Sequence, residues 1–116
     1  MKKTNKDQQE NYLERKPKRH EAIAWAKDEK GIVTLDIENT GFFNRLAQKI
    51  FHKPKVTHIH LDEMGSFVWP IMDGEKDIIA IGKEVEEQFG EKANPLYERL
   101  AKFFQVLDSY HFITWN

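Results

Sequence analysis

The chain has 116 residues and no cysteine, with 40% hydrophobic and 32% charged residues. This length suits one domain, and the composition is that of a globular protein. The lack of cysteine excludes disulfides, thiolate catalysis and thiolate zinc sites. The sequence has no apolar signal segment at its start and no stretch as long and apolar as a membrane helix. We therefore expect a cytoplasmic location and no membrane partner.

The charges are unevenly distributed along the chain, although the net charge is only −1. Residues 1–20 contain seven Lys or Arg and three acidic residues, whereas residues 21–116 contain 11 basic and 16 acidic residues. We interpret residues 1–20 as a basic, disordered tail and residues 21–116 as the folded domain. A protein that reads duplex DNA normally presents a basic face on its folded body, so this acidic body argues against a nucleic-acid partner.

Two strands are predicted first, at Glu21–Lys27 and Ile32–Ile37, joined by a turn that ends at Gly31. Glycine suits a turn position with positive φ. The second strand shows the alternation of a half-buried strand, with its apolar residues at Val33, Leu35 and Ile37.

An additional helix is predicted over residues 40–51, with Thr40 as its cap and Pro54 just beyond its end. Its apolar residues have helical spacing and are Phe43, Leu46, Ala47 and Ile50. A third strand is predicted at Val56–Leu61. The alternation places Ile59 and Leu61 on one face of that strand and the two histidines on the other.

Three helices follow in close succession. The first begins after Asp62 and ends near the Asp73-Gly74 turn, and the second begins after Asp77 and ends near Phe89. Asn94 and Pro95 predict the cap and first residue of the third helix, and a short strand at His111–Trp115 closes the chain. The pattern predicts an α+β, winged helix-turn-helix-like fold. It has a three-stranded antiparallel sheet followed by three helices, with an extra helix between strands two and three.

The segment LDEMGSFVWPIMDG at Leu61–Gly74 resembles the signature of the PqqD family. The most informative positions are Gly65, Trp69, Asp73 and Gly74. The resemblance covers most of residues 21–113. The sequence departs from the family pattern at several points: the extra helix looks like an insertion, and the other departures are Pro70, Asp77, Ala80 and His111, which stands where a glycine commonly ends the third helix.

This resemblance implies a non-catalytic adaptor of about this size, without a cofactor. Family members bind the leader of a ribosomally made precursor peptide and present it to a modifying enzyme, typically a radical S-adenosylmethionine enzyme. The peptide is expected to add as a strand to the third strand, beside the third helix. The peptide-binding residues expected on the strand are Val56, Thr57, His58, Ile59 and His60.

The third helix supplies the other expected peptide-binding residues. A stripe of Leu96, Leu100, Phe103 and Leu107 is sufficient to seat this helix on a core. Three further residues widen that stripe along one flank, namely Tyr97, Ala101 and Phe104. Either these side chains belong to the core, or they line an apolar groove in which a peptide lies.

No catalytic or metal-binding residue is expected. His52, His58 and His60 could form a metal cluster, but strand alternation alone accounts for the last two, and no cysteine accompanies them. Neither paired carboxylates nor a Ser, His and Asp arrangement stands out. Among the tryptophans, Trp69 is expected between the first helix and the sheet, Trp25 could face the core or a partner, and Trp115 is expected to be a loosely packed terminal residue.

Two other functions remain as alternatives. In a winged-helix DNA-binding transcriptional regulator, the third helix would enter the major groove and present Arg99 and Lys102 against Glu98. The segment from Asp77 to Leu107, however, carries six acidic and four basic residues, which is unfavourable for contacts with phosphates. The second alternative is a structural dimerisation domain without a peptide ligand, and the sequence leaves homodimer formation open.

Overall fold

A computed structural model describes residues 12–38 and 56–116. Within these ranges the elements follow the order β1 (Pro17–Arg19), β2 (Ala24–Lys27), β3 (Val33–Glu38), β4 (Val56–His60), α1 (Glu63–Val68), α2 (Ile78–Phe89), α3 (Leu96–Ser109) and β5 (Ile113–Trp115). Short 3-10 turns follow α1 and α2, at Trp69–Ile71 and Gly90–Ala93. The predicted α+β class, with a small antiparallel sheet and three helices, is confirmed. The helix predicted over residues 40–51 lies outside the described residues.

The main sheet is antiparallel, with the strand order β2-β3-β4. Its central strand buries Val33, Leu35 and Ile37 completely, as the alternation predicts. Gly31 closes the β2-β3 hairpin with a φ of 84°, and the Asp28 carboxylate accepts hydrogen bonds from two main-chain N–H groups of the turn. Burial of the β3 side chains fixes the strand register, because a shift by one residue would turn them toward solvent.

A second sheet joins the two ends of the described chain. Strand β1 pairs antiparallel with β5, and Pro17 lies opposite Trp115. The N–H of Gly74 donates to the carbonyl of Pro17, and the N–H of Ile78 donates to the carbonyl of Arg15. Part of the segment expected to be a disordered tail is therefore packed onto the domain through main-chain hydrogen bonds, which side-chain patterns do not reveal.

The helix starts agree with the predicted caps except at α3. The carboxylates of Asp62 and Asp77 accept hydrogen bonds from N–H groups of α1 and α2, at 2.7 and 2.8 Å. At α3 the cap position belongs to Pro95 rather than Asn94, and no side chain caps this helix. None of the helices in the described ranges combines the length and the apolar character needed to cross a membrane.

The end of α3 is a Schellman motif built around His111. The N–H of His111 donates to the carbonyl of Asp108, and the N–H of Phe112 donates to the carbonyl of Leu107, both at 2.9 Å. His111 has a φ of 61°, a conformation that glycine adopts more readily than residues with a β-carbon. The sequence therefore places histidine at a position that geometrically favours glycine.

The three tryptophans have different environments. Trp69 is fully buried in the core, whereas Trp25 is 37% exposed. The expectation that Trp115 is loosely packed is wrong. Its ring makes edge contacts with Phe104 and Tyr12, and the Arg15 guanidinium lies 4.0 Å from its centroid. This contact with a cation anchors the aromatic ring near the end of the chain.

Candidate functional site

Among the described residues, β4 is an edge strand of the main sheet. The N–H of Leu61, just after β4, donates to the carbonyl of Val33. Because hydrogen bonding alternates along an antiparallel pair, residues 57, 59 and 61 point their main-chain groups toward β3. The main-chain groups of Val56, His58 and His60 therefore point to the open edge, where an added strand could bind them.

The side chains of β4 also divide between two faces. Thr57 is buried and Ile59 is half-buried on the core side, while His58 and His60 are exposed on the other face. His58 Nδ1 lies 2.6 Å from the Asp36 carboxylate, and His60 Nδ1 lies 2.7 Å from the Thr34 hydroxyl. These cross-strand contacts account for both histidines. The described ranges contain no group of three His, Asp or Glu residues arranged to hold a metal ion.

The flank of α3 that was expected to line the groove packs against other parts of the protein. A β-carbon placed on Gly82 would come within 2.7 Å of the Tyr97 ring, so Tyr97 packs closely against α2. Burial raises the pKa of the Tyr97 hydroxyl, and the nearby carboxylates of Glu86 and Asp77 raise it further. Phe104 is fully buried in the core. Of the three expected helix residues, Ala101 is half-buried and lies at the border of the solvent-exposed face of α3.

On the opposite flank of α3, Phe103 lies near the end of β4. A β-carbon on Gly65 would come within 2.9 Å of the Phe103 ring and 3.4 Å of Leu61, the residue that follows β4. On the same helical flank, Val106 and Tyr110 are 45% and 38% exposed. These two residues and Trp25 are the large hydrophobic side chains that stay exposed within the described part of the chain. The helical pattern assigned Phe103 to the core stripe. It did not indicate the close approach of Phe103 to Gly65 or the exposure of Val106 and Tyr110.

Ser66 connects the helical part of the domain to the sheet. Its hydroxyl accepts a hydrogen bond from the N–H of Val33 at 2.8 Å and donates to the carbonyl of Leu61 at 3.3 Å. Ser66 is fully buried, and both of its partners lie beside the end of β4. This side chain therefore fixes the position of the edge strand relative to α1.

A second cavity, of about 270 Å³, lies beyond the end of β4, between the start of α1 and the start of α3. Met64, Phe89 and Ala93 supply its apolar wall. Its charged residues balance, with Asp62 and Glu63 against Lys92 and Arg99. The Arg99 guanidinium donates to the carbonyl of Lys92 at 2.8 Å, so this wall of the cavity is held in place.

Comparison with known proteins agrees with the motif at Leu61–Gly74. A family model described as "Coenzyme PQQ synthesis protein D (PqqD)" matches residues 31–113, which is most of the chain. No significant match was found among curated proteins or among solved structures.

Proposed function

The chain belongs to the PqqD family, and from this we propose that it binds the leader of a ribosomally made precursor peptide and presents it to a radical S-adenosylmethionine enzyme. Membership implies an accessory role in peptide modification of the PQQ type, with a precursor peptide and a modifying enzyme as partners. Members of the family are non-catalytic accessory proteins.

The peptide adds as an extra strand to β4. The observation that carries this proposal is the row of outward-facing main-chain groups at Val56, His58 and His60. An extended peptide satisfies such groups with little dependence on its own sequence. The side chains of Thr57 and Ile59 face the core and contribute by holding the strand in register.

Specificity in this proposal comes from the flank of α3 that carries Phe103, Val106 and Tyr110. Phe103 lies at the end of β4, and the other two residues are exposed along the same flank. Exposed apolar side chains beside a sheet edge offer pockets for alternate side chains of a bound strand. Of the helix residues expected from the sequence, the half-buried Ala101 remains a candidate at the border of the exposed face of α3, whereas the buried Phe104 supports the helix from within.

The test uses two substitutions at His58 and, as the ligand, a precursor peptide identified by pull-down with the full chain. His58→Pro removes an N–H that points to the open edge, whereas His58→Ala keeps this N–H and removes the same side-chain contact with Asp36. Proline is tolerated on an edge strand when its position faces solvent, so both variants should fold. We expect His58→Pro to weaken peptide binding at least tenfold in calorimetry, and His58→Ala to weaken it less than threefold.

Equal binding by the two folded variants would contradict strand addition at β4. Circular dichroism melting of both variants serves as the control. A proline variant that melts much earlier than the alanine variant would show that residue 58 supports the sheet itself.

A further inference from the structure

Arg19 is a cation held in place by neutral groups. Its Nη1 donates to the carbonyls of Trp69, Pro70 and Met72, at 3.2, 2.6 and 3.1 Å. Its guanidinium also lies 5.6 Å from the centroid of the Trp25 ring. Across residues 12–38 and 56–116, Arg19 forms no ion pair with a carboxylate. A fixed guanidinium without a counter-ion is well suited to bind an anionic side chain.

A surface cavity of about 360 Å³ lies beside this guanidinium. Arg19, Trp25 and Met72 are among the residues that line it. Two carboxylates also border it, but both have other partners. Glu21 pairs with Lys18 at 3.7 Å, and Asp73 accepts hydrogen bonds from two main-chain N–H groups, which lower the pKa of its carboxyl. The cavity therefore offers a cation, an aromatic ring and space for one side chain.

Among the residues that the structure describes, β2 is the other unpaired edge of the main sheet, and the cavity lies beside it. The main-chain groups of Val33 bond to Ser66 and Leu61, on the side away from β2. Because main-chain hydrogen bonding alternates along β3, the next residue, Thr34, bonds to Ala26 of β2. The neighbours of Ala26, Trp25 and Lys27, therefore point their main-chain groups away from β3, toward the edge of the sheet. All four residues of β2 are exposed. An extended segment added here would pass along the rim of the cavity.

We propose that this edge of β2, with Arg19 and Trp25, binds an extended segment of a partner protein that places an Asp or Glu side chain in the cavity. The inference rests on the proposed function, in which the partner is the modifying enzyme. Edges β2 and β4 are two strand spacings apart, roughly 10 Å, so a peptide on β4 leaves the β2 edge accessible. The adaptor then binds the peptide at one edge of the main sheet and the enzyme at the opposite edge.

The test uses two synthetic pentapeptides, Ac-Thr-Val-Glu-Val-Thr-NH2 and the same sequence with Gln in place of Glu. The ¹⁵N-labelled full chain is titrated with each peptide, and amide and indole resonances report the binding position. We expect shifts centred on Trp25 and Lys27, with about fivefold weaker binding of the Gln peptide, since one exposed charge interaction is lost.

A matched pair of variants locates the site. Lys27→Pro removes an outward N–H of β2, and Lys27→Ala keeps it. The proline variant should lose binding of the Glu peptide, and the alanine variant should retain it.

Three results would overturn the proposal: shifts confined to His58 and His60, equal affinity for the two peptides, or shifts at Lys27 that depend on protein concentration without peptide. The last result would show that a second copy occupies this edge. The His58 variants test the proposed function with a different peptide, so failure here leaves their result standing.

Discussion

At the scale of single residues, His111 has a left-handed backbone conformation that a residue with a β-carbon adopts at a cost. It ends α3 with a φ of 61°, and its N–H and the N–H of Phe112 donate the two hydrogen bonds of the Schellman motif. A β-carbon in this conformation is crowded by the neighbouring carbonyl, a cost that glycine avoids. Burial of Phe112 and Leu107 next to this turn holds the conformation in place.

We therefore expect His111→Gly to raise the free energy of unfolding by about 1 kcal/mol, because it removes the strain of the β-carbon. Urea denaturation followed by circular dichroism measures this change. The control, His111→Ala, removes the imidazole but keeps the β-carbon and should give no gain. If the alanine variant were equally stabilised, the imidazole rather than the backbone would be the source of the strain.

The hydrogen bonds of Ser66 are a part of the site that the sequence does not predict. The LDEMGSFVWP segment pointed to Gly65 and Trp69 as informative positions, and the caps at Asp62 and Asp77 followed from local pattern. The partners of Ser66, by contrast, lie in β3 and at the end of β4. A serine inside a helical pattern carries no signal of a distant main-chain partner. Local chemistry could be predicted, but long-range polar contacts could not.

At the scale of elements, α3 shows the limit of helical periodicity. The pattern correctly predicted burial of Leu96, Leu100 and Leu107. It could not assign the flanks, because periodicity gives the angle of a side chain around the helix and not the neighbour that covers it. Two glycines on other helices decide which elements these flanks contact. Gly82 has no side chain, so Tyr97 packs closely against α2, and Gly65 likewise allows Phe103 to pack beside the end of β4.

The two flanks should respond differently to truncation. Phe104→Ala removes a fully buried ring and should lower the free energy of unfolding by about 3–5 kcal/mol. Val106→Ala trims an exposed side chain and should change stability by less than about 0.5 kcal/mol. If Val106 borders the peptide groove, this variant should also weaken peptide binding several-fold.

Denaturant melts and calorimetry on the same samples separate these effects. A Phe104→Ala variant of normal stability would contradict the core assignment. Normal peptide affinity in Val106→Ala would exclude this residue from the groove.

At the scale of the whole molecule, the charge distribution separates the peptide-binding proposal from the DNA-binding alternative. The basic surplus lies in residues 1–20, and the remainder of the chain is acidic. Because β1 (Pro17–Arg19) pairs with β5, a deletion through residue 20 would also remove a strand. A deletion of residues 1–11 alone removes Lys2, Lys3 and Lys6 but keeps all residues that the structure describes, including β1.

This shortened chain should not bind duplex DNA, since it keeps 15 basic against 17 acidic residues, and its net charge of −2 is unfavourable for contacts with phosphates. Fluorescence anisotropy with a labelled random duplex at low salt measures the affinity. The full-length chain under the same conditions is the control for weak binding by the tail. Micromolar binding by the shortened chain, with a steep decrease as salt is added, would support the winged-helix regulator instead.

The pairing of β1 with β5 also has a consequence for how the molecule folds. This contact joins positions near opposite ends of the described chain, where the N–H of Asn116 donates to the carbonyl of Lys16. Contacts between residues so distant in sequence carry a large loop-closure entropy and tend to form after local hairpins and helices. The β2-β3 hairpin and the helices can assemble first, and the β1-β5 pair then forms. Native-state hydrogen exchange should accordingly detect opening of the β1-β5 pair at lower free energy than opening of β3.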